Sequence, residues 1–339
     1  MIVAVTGASG HLGANLIRAL LREKKQVRAL ININRNALDG LDVEIVKADI
    51  RDPHSLLQAF NGVEVVYHLA AIISLSMDSW SSIEAVNIIG TRNVVDACNQ
   101  CGVRRLVHFS SIHAIEQTPM SRPVDEKRPL IDSPGCPPYD RSKAAAEMEV
   151  RLGIEQGLDA IILNPTAVIG PHDYQLSHMG AVLLALAQGK MPALVEGGFN
   201  WVDARDVAAA ALKAEEQAPT GSKYLLSGHW ASVIELAKLT ETLTGVPAPR
   251  VVVPVWLARA GAPVVTAFNQ ITNNRPLYTT VSIRALNNCN KVISHERATR
   301  ELNYHPRPLK ETLADTLRWF QDNDMLDRSI KIPAKSGNK

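Results

Sequence analysis

Short apolar runs alternate with longer stretches in which apolar residues recur every three or four positions, and this rhythm fills the first half of the chain. Ile2–Val5 reads as a first strand. Leu12, Leu16, Ala19 and Leu20, with Ala14, Ile17 and Leu21, give the following helix its apolar side. Gln26–Ile31 and Val43–Ala48 predict the second and third strands, followed by a helix that Pro53 opens and that carries Leu56, Leu57 and Phe60. Glu64–Ala70 predicts a fourth strand, Ser81–Cys101 a long helix and Arg105–Phe109 a fifth strand. A loop rich in Pro and charge (Pro119–Pro138) leads to a helix from Tyr139 and a strand at Ala160–Leu163. Strands separated by helices pair in parallel, so the expected fold is α/β, a Rossmann-type doubly wound parallel sheet.

Beyond Pro165 helical periodicity dominates, at Gly180–Gln188, Arg205–Glu216, Ser232–Thr244 and Leu309–Asp322, with only short strands such as Lys223–Leu226 between. The expected organisation is a dinucleotide-binding domain over 1–165 and a smaller, mostly helical C-terminal substrate lobe over 166–327. That lobe is discontinuous, with some segments returning to the first domain, and a flexible polar tail follows over 328–339. Val251–Phe268 is apolar but interrupted by Pro254, Arg259 and Pro263, which suits a bent, buried or pocket-lining segment. No apolar run reaches the ~18 residues of a membrane span. The opening MIVAVT is already a strand with no basic region before it, so a cytoplasmic protein is expected and membrane association is not.

A composition of 46% hydrophobic and 21% charged residues is that of a soluble globular protein. A net charge of +2 gives no electrostatic footprint for nucleic acid. Cys98 and Cys101 form a C-x-x-C, but within a helical run and without a second ligand pair, so two small buried thiols are expected and no metal site.

The chemistry begins in Thr6-Gly7-Ala8-Ser9-Gly10-His11-Leu12-Gly13, between the first strand and the first helix. Gly7 permits the tight turn, Gly10 lets the backbone approach a pyrophosphate, and Gly13 lets helix and strand pack closely. The helix N-terminus then offers free N–H groups to the diphosphate. A ribose-binding acid is missing from the end of strand two, Val27-Arg28-Ala29-Leu30-Ile31-Asn32-Ile33-Asn34-Arg35. Arg28 and Arg35 can meet a 2′-phosphate and Asn32 the ribose of either cofactor, so NADP is favoured over NAD. Asp49 and Ile50 are expected at the adenine, and Ala70 and Ala71 are small enough to let the cofactor pass.

Tyr139-Asp140-Arg141-Ser142-Lys143 adds a Tyr-x-x-x-Lys spacing, which sets both side chains on one helical face. A nearby ammonium favours the phenolate and lowers the phenol's pKa, as a general acid/base requires.

With Ala48-Asp49-Ile50, His68-Leu69-Ala70-Ala71, Val86–Thr91, Phe109-Ser110-Ser111, Pro165–Pro171 and Glu301–Leu309, these stretches resemble the extended short-chain dehydrogenase/reductases of the NAD-dependent epimerase/dehydratase superfamily. The resemblance implies a catalytic hydroxyl at Ser111, an acid/base at Tyr139 and a ribose-binding, pKa-lowering lysine at Lys143. It further implies cofactor contacts from Leu69 and from Asn164 and Pro165. Ser110 is the second choice for the hydroxyl, Asn87 is expected to support the fold, and His113 to line the pocket. Ile112-His113 stands where sugar-nucleotide dehydratases resemble one another in an Asp-Glu pair, and Ala167 where sugar-nucleotide epimerases carry Asn. The Pro-Thr-x-Val-x-Gly-Pro wording is similar to the dihydroflavonol reductase and aldehyde reductase branch. The expected activity is therefore NAD(P)H-dependent reduction of an aldehyde or ketone, or oxidation of the alcohol. A sugar-nucleotide epimerase is the alternative, and a non-catalytic NAD(P)-binding regulatory protein the second. Substrate contacts are expected around Asp173–Met179, Phe199–Trp201 and Asn269–Tyr278, with Trp201 and Tyr278 as candidates. The resemblance also implies a homodimer built on Ser81–Cys101 and Tyr139–Gln156.

Overall fold

Strands buried on both faces read as unbroken apolar runs, and three such runs build the centre of the sheet. They are β1 (Ile2–Thr6), β4 (Val65–His68) and β6 (Ala160–Pro165), and almost all of their residues are shut away from solvent. The structure, a computed structural model, describes residues 1–73, 79–258, 260 and 280–333. With β2 (Gln26–Ile31), β3 (Glu44–Lys47), β5 (Arg105–Phe109) and β10 (Lys223–Leu226) these strands form a seven-stranded sheet in the order β10-β6-β5-β4-β1-β2-β3. All of its pairings are parallel. This is the doubly wound Rossmann arrangement with one added edge strand.

The period of two sorts the strand residues between faces. Val3, Val5, Tyr67, Val107 and Phe109 pack with α1 (His11–Arg22) and α7 (Ala204–Gln217). Ala4, Val66, Leu106 and Ile162 pack with α2 (Pro53–Phe60), α4 (Gly90–Gln100) and α5 (Pro138–Glu155). The long helix expected over Ser81–Cys101 is broken into α3 (Trp80–Glu84), a π-helical turn (Ala85–Ile89) and α4. Cys98 is buried and Cys101 half-buried, both as free thiols.

The second lobe contains more strand than its periodicity suggested. β7 (Ala167–Ile169), β9 (Gly198–Asp203) and β11 (His229–Ser232) form a three-stranded sheet, and β8 (Leu194–Val195) pairs with β12 (Val252–Val253). These strands are two to six residues long, too short for alternation to register. GFNWVD also hides its polar residues in the interior, where Asn200 accepts from Gly228 N–H at 2.7 Å and Asp203 from Arg205 N–H at 2.8 Å. Around them α6 (His178–Ala187), α8 (Val233–Thr244) and the helix Leu309–Asp322 enclose Trp201, Phe199, Leu186, Leu236 and Phe320. β10 and α7 belong to the large sheet's layers, so the chain returns there after β9. The tail expected to be loose from Arg328 is held at its start: Gln321 donates to the Ile330 carbonyl at 2.7 Å and Arg318 Nε to that of Pro333 at 3.1 Å. Residues 259 and 261–268 of the apolar stretch, the Asn269–Tyr278 segment and residues 334–339 lie outside the described residues.

A Cβ on Gly13 would stand 2.3 Å from the Gly7 carbonyl oxygen and 2.8 Å from that of Ala8, both backbone atoms. Gly13→Val is expected to destabilise the protein by about 1–3 kcal/mol through this overpacking. Urea unfolding measures it, and an unchanged midpoint would mean that helix and strand can separate freely.

Candidate active site

The strands of the large sheet deliver their loops to one edge. β1 ends in Thr6, whose hydroxyl accepts from the N–H groups of Leu69 and Ala70, each at 3.2 Å, and stands 2.7 Å from His68 Nδ1. Gly7 turns with φ +67°, and a Cβ there would lie 2.7 Å from Ala70 N, so the β1 and β4 ends touch through backbone. Gly10 caps α1 with no side-chain bond, and the first turn carries no acid. The cradle is thus lined by backbone and faces the positive end of a helix, which fits a dinucleotide pyrophosphate.

Two side chains of this loop turn away from such a ligand. His11 Nε2 lies 3.1 Å from the Gly170 carbonyl and 3.2 Å from that of Pro171, and Leu12 packs on the core. Asn15 donates to Pro171 at 2.8 Å and Gln175 to the Ser9 carbonyl at 3.0 Å. His11 and Leu12 therefore have only backbone to offer a cofactor, and the loop is latched to residues 170–175.

At the end of β2, Arg28 is withdrawn: it donates to Glu44 at 2.8 Å and to the carbonyls of Ala59 and Asn61 at 2.8 and 2.9 Å. Asn32 is exposed, and Arg35 is 67% exposed with Asp39 3.5 Å away. Asp49 is engaged by Arg51, whose Nε donates at 3.0 Å. Ile50 is buried against Gly90 and has little surface to give an adenine.

Beyond β5 the two serines diverge. Ser110 donates to Glu147 at 2.9 Å, which removes it as the reactive hydroxyl. Ser111 accepts from His113 N–H at 3.1 Å, and its hydroxyl draws the Tyr139 phenol's pKa down. Lys143, one turn beyond Tyr139, donates from Nζ to the Phe109 carbonyl at 2.8 Å. Asn164 is fully buried, donating to the Ser111 carbonyl at 2.9 Å and to Glu147 at 3.0 Å, and Pro165 is buried beside it. The Asn164 amide nitrogen thus braces the strand beneath the site. Asn87 supports the fold, donating to Ser142 at 2.9 Å and accepting from Ile72 N–H at 2.8 Å. Trp201 is core, its indole donating to the Ala231 carbonyl at 2.9 Å, and Asp173 is buried and accepts from Ser177 N–H at 2.9 Å.

The electrostatics differ from the simple expectation for a Tyr-Lys pair. Burial pushes the Tyr139 phenol up to about 12; the nearby Ser111 hydroxyl pulls the other way and the Asp140 charge adds to the rise. Burial brings Lys143 down to about 8 against the opposing charge of Glu147. His113 is also pushed down by burial, but Asp140, 3.2 Å from its Nδ1, outweighs this and leaves it raised. Among the described residues no group of three His, Cys, Asp or Glu is arranged to hold a metal.

Glu147 is the residue that reading the sequence missed. It has no exposure, accepts from Ser110 and Asn164, and pairs with Arg151 at 2.9 Å and Lys223 at 3.0 Å. The signal was present, because Tyr139, Lys143, Glu147 and Arg151 recur every four residues along one helical stripe.

Known proteins align with these features. The family described as NAD dependent epimerase/dehydratase matches residues 3–226. Sterol demethylase protein B of Methylococcus capsulatus is 37% identical over 332 residues, covering 96% of this chain and all of that protein. A putative dihydroflavonol 4-reductase of Synechocystis is 32% identical, covering 94% of each chain. The crystal structure of gox2253 superposes with a TM-score of 0.83 at 31% identity, covering 96% of this chain and 99% of that one.

Removing the Glu147 charge strands the buried Lys223 ammonium without its counter-ion. Glu147→Gln is expected to cost about 3–5 kcal/mol in thermal or urea unfolding. The carboxyl is held below its ordinary 4.5: burial opposes this, and Lys223, Asn164 and Arg151 overcome it. Its contribution is therefore complete above 4.5 and is lost as pH falls through the lower folded value. The variant's stability should fall less than the wild type's over that acid range; equal acid sensitivity would show that Glu147 is not titrating.

Proposed function

The chain belongs to the NAD dependent epimerase/dehydratase family, and we propose that within it the protein is an NAD(P)H-dependent carbonyl reductase, or alcohol dehydrogenase in reverse. The observation that carries this reading is the grouping of Ser111, Tyr139 and, one helical turn on, Lys143 at the sheet edge that also bears the glycine loop, with Lys143 donating to the Phe109 carbonyl just before Ser110 and Ser111. The names of its relatives, a sterol demethylase component and a dihydroflavonol reductase, favour an apolar secondary alcohol or ketone as substrate. The exposed Val251, Trp256 and Leu257 of the second lobe agree with an apolar ligand.

A bound nicotinamide dinucleotide supplies or accepts the hydride. The backbone from Gly7 to Gly13 would hold its pyrophosphate, Asn32 and Arg35 the adenosine ribose, and Lys143 the nicotinamide ribose. As a carbonyl is reduced its oxygen gains negative charge, which Ser111 stabilises by donating a hydrogen bond. Tyr139, protonated at neutral pH because burial raises it to about 12, gives its proton to that oxygen. Lys143 keeps its ammonium below about 8, so reduction should weaken as pH rises past that value.

NADP is the preferred cofactor in this reading, because β2 ends without an acid and Arg35 is available for a 2′-phosphate. We also read the exposed Ile89, Met148 and Leu152 as part of a homodimer face. A solution mass of about twice 36.9 kDa is expected, and a monomer would refute it.

The deciding experiment titrates NADPH and NADH by fluorescence and then screens sterols, dihydroflavonols and simple ketones. Exchangeable NADPH and net cofactor oxidation are expected, with Arg35→Ala narrowing the preference over NADH. Tightly retained NAD without net turnover would favour an epimerase instead. Tyr139→Phe should lower reduction about 10²–10⁴-fold while leaving cofactor affinity intact; turnover at the wild-type rate would end the assignment.

A further inference from the structure

Ser111 opens a turn too short to hold itself in place. It caps the three-residue 3₁₀ turn Ile112–Ala114, in which Ala114 N–H donates to the Ser111 carbonyl and Ile115 N–H to that of Ile112, each at 3.1 Å. Single turns of this kind have poor hydrogen-bond geometry and little stability of their own. Asn164 fixes the sheet side of the turn through the Ser111 carbonyl. Gln117 fixes the other side, its Nε2 donating to the carbonyls of Ile112 at 3.3 Å and Ile115 at 3.2 Å. Its Oε1 accepts from Asn290 N–H at 3.2 Å. These partners dictate which way the amide faces, since a carbonyl can only accept and an N–H can only donate.

Asn290 is itself firmly held. It is buried, and its Nδ2 donates to the carbonyls of Gln117 at 3.3 Å and Arg122 at 2.9 Å, while its Oδ1 accepts from Val292 N–H at 3.0 Å. It follows the helix Thr280–Asn288, whose Leu286 packs in the core of the second lobe. Val124 N–H donates to the Val292 carbonyl and Ser294 N–H to that of Val124, each at 2.9 Å, which continues the seam. Beneath it Ile112, Ala114, Ile115, Val124 and Ile293 share an apolar cluster with Ala144, the residue after Lys143. We propose that Gln117 is a positioning residue for Ser111, clasping the turn that presents the hydroxyl to the second lobe at Asn290. This rests on the reading of Ser111 as the group that meets the substrate oxygen. The seam bonds of Val124, Ser294 and Asn290 to Arg122 do not involve the Gln117 side chain, so its amide acts on the turn. Placement matters there, because a shift of ~1 Å in a reacting group can slow a reaction on the order of 10²-fold.

The test compares Gln117→Glu, Gln117→Met, Ser111→Ala and the two double variants in the full-length protein. Glutamate still accepts from Asn290 but turns a carboxylate toward the two carbonyls of the turn. Methionine fills the same space with no donor, and keeps the test open where the added charge prevents folding. With NADPH and a 3-ketosteroid, either change at 117 should lower kcat about tenfold and leave KM and NADPH affinity within about twofold. In the Ser111→Ala background neither should lower it further, because the group they position is gone. An equal loss in that background, or a raised KM with kcat unmoved, would overturn the proposal. Amide hydrogen exchange needs no substrate. His113, Ala114 and Ile115 should exchange about tenfold faster in both variants at 117, while Val124 and Ser294 across the seam keep their protection. Faster exchange in a protein that reduces no ketone leaves the clasp standing and sinks the reductase reading alone. Unchanged exchange in the turn, or an equal rise on both sides of the seam, refutes the clasp whatever the activity.

Discussion

A single buried carboxylate organises the ground under the candidate site. Glu147 sits without exposure where α5 crosses the sheet, and burying a lone carboxylate is costly enough that it must be surrounded by donors. Its donors come from four elements: Ser110 after β5, Asn164 in β6, Lys223 in β10 and Arg151 one turn along its own helix. Satisfying one charge therefore fixes the spacing of two adjacent strands, an edge strand and the helix over them. Asn164 passes the constraint on, because its second hydrogen bond holds the Ser111 carbonyl. The serine beside Tyr139 is thus located by a residue buried beneath it.

The same division of labour holds at the glycine loop. Its backbone faces outward, while the side chains of His11, Asn15 and Arg18 reach across to Gly170, Pro171 and Tyr174. His172, beside these carbonyls, has φ +65°, a conformation that L residues adopt only under constraint. Segment 170–175 leads directly into α6, so the second lobe is fastened to the nucleotide cradle by the first residues that leave the large sheet.

Much of this was legible in the chain. The strands β2 and β5 and the helix Leu309–Asp322 lie where periodicity put them, since long regular elements carry the strongest pattern. The glycine loop was legible because only glycine tolerates φ +67° beside Ala70 or a 2.3 Å approach to backbone. The second lobe was less so: its strands are short, and β9 buries Asn200 and Asp203, residues that read as loop until their partners are known. Arg28 misled for a related reason. Its charge suited a phosphate, but a side chain on β2 can reach Glu44 on β3 and the end of α2, and strand order is not written locally. Trp201 and Asn164 likewise have chemistry that fits a pocket and positions that belong to the core.

The balance around Tyr139 shows why the motif alone did not foretell its ionisation. The Tyr-x-x-x-Lys spacing predicts a phenol lowered by its lysine, yet burial dominates and Lys143 spends its hydrogen bond on Phe109. Three neighbours then set the residual field: Ser111 lowers, Asp140 raises, and His113 stands against Asp140. A phenol raised in this way stays protonated at neutral pH. The ionisation of this phenol follows from burial first and from the charges packed around it second, and only the charges are written in the motif.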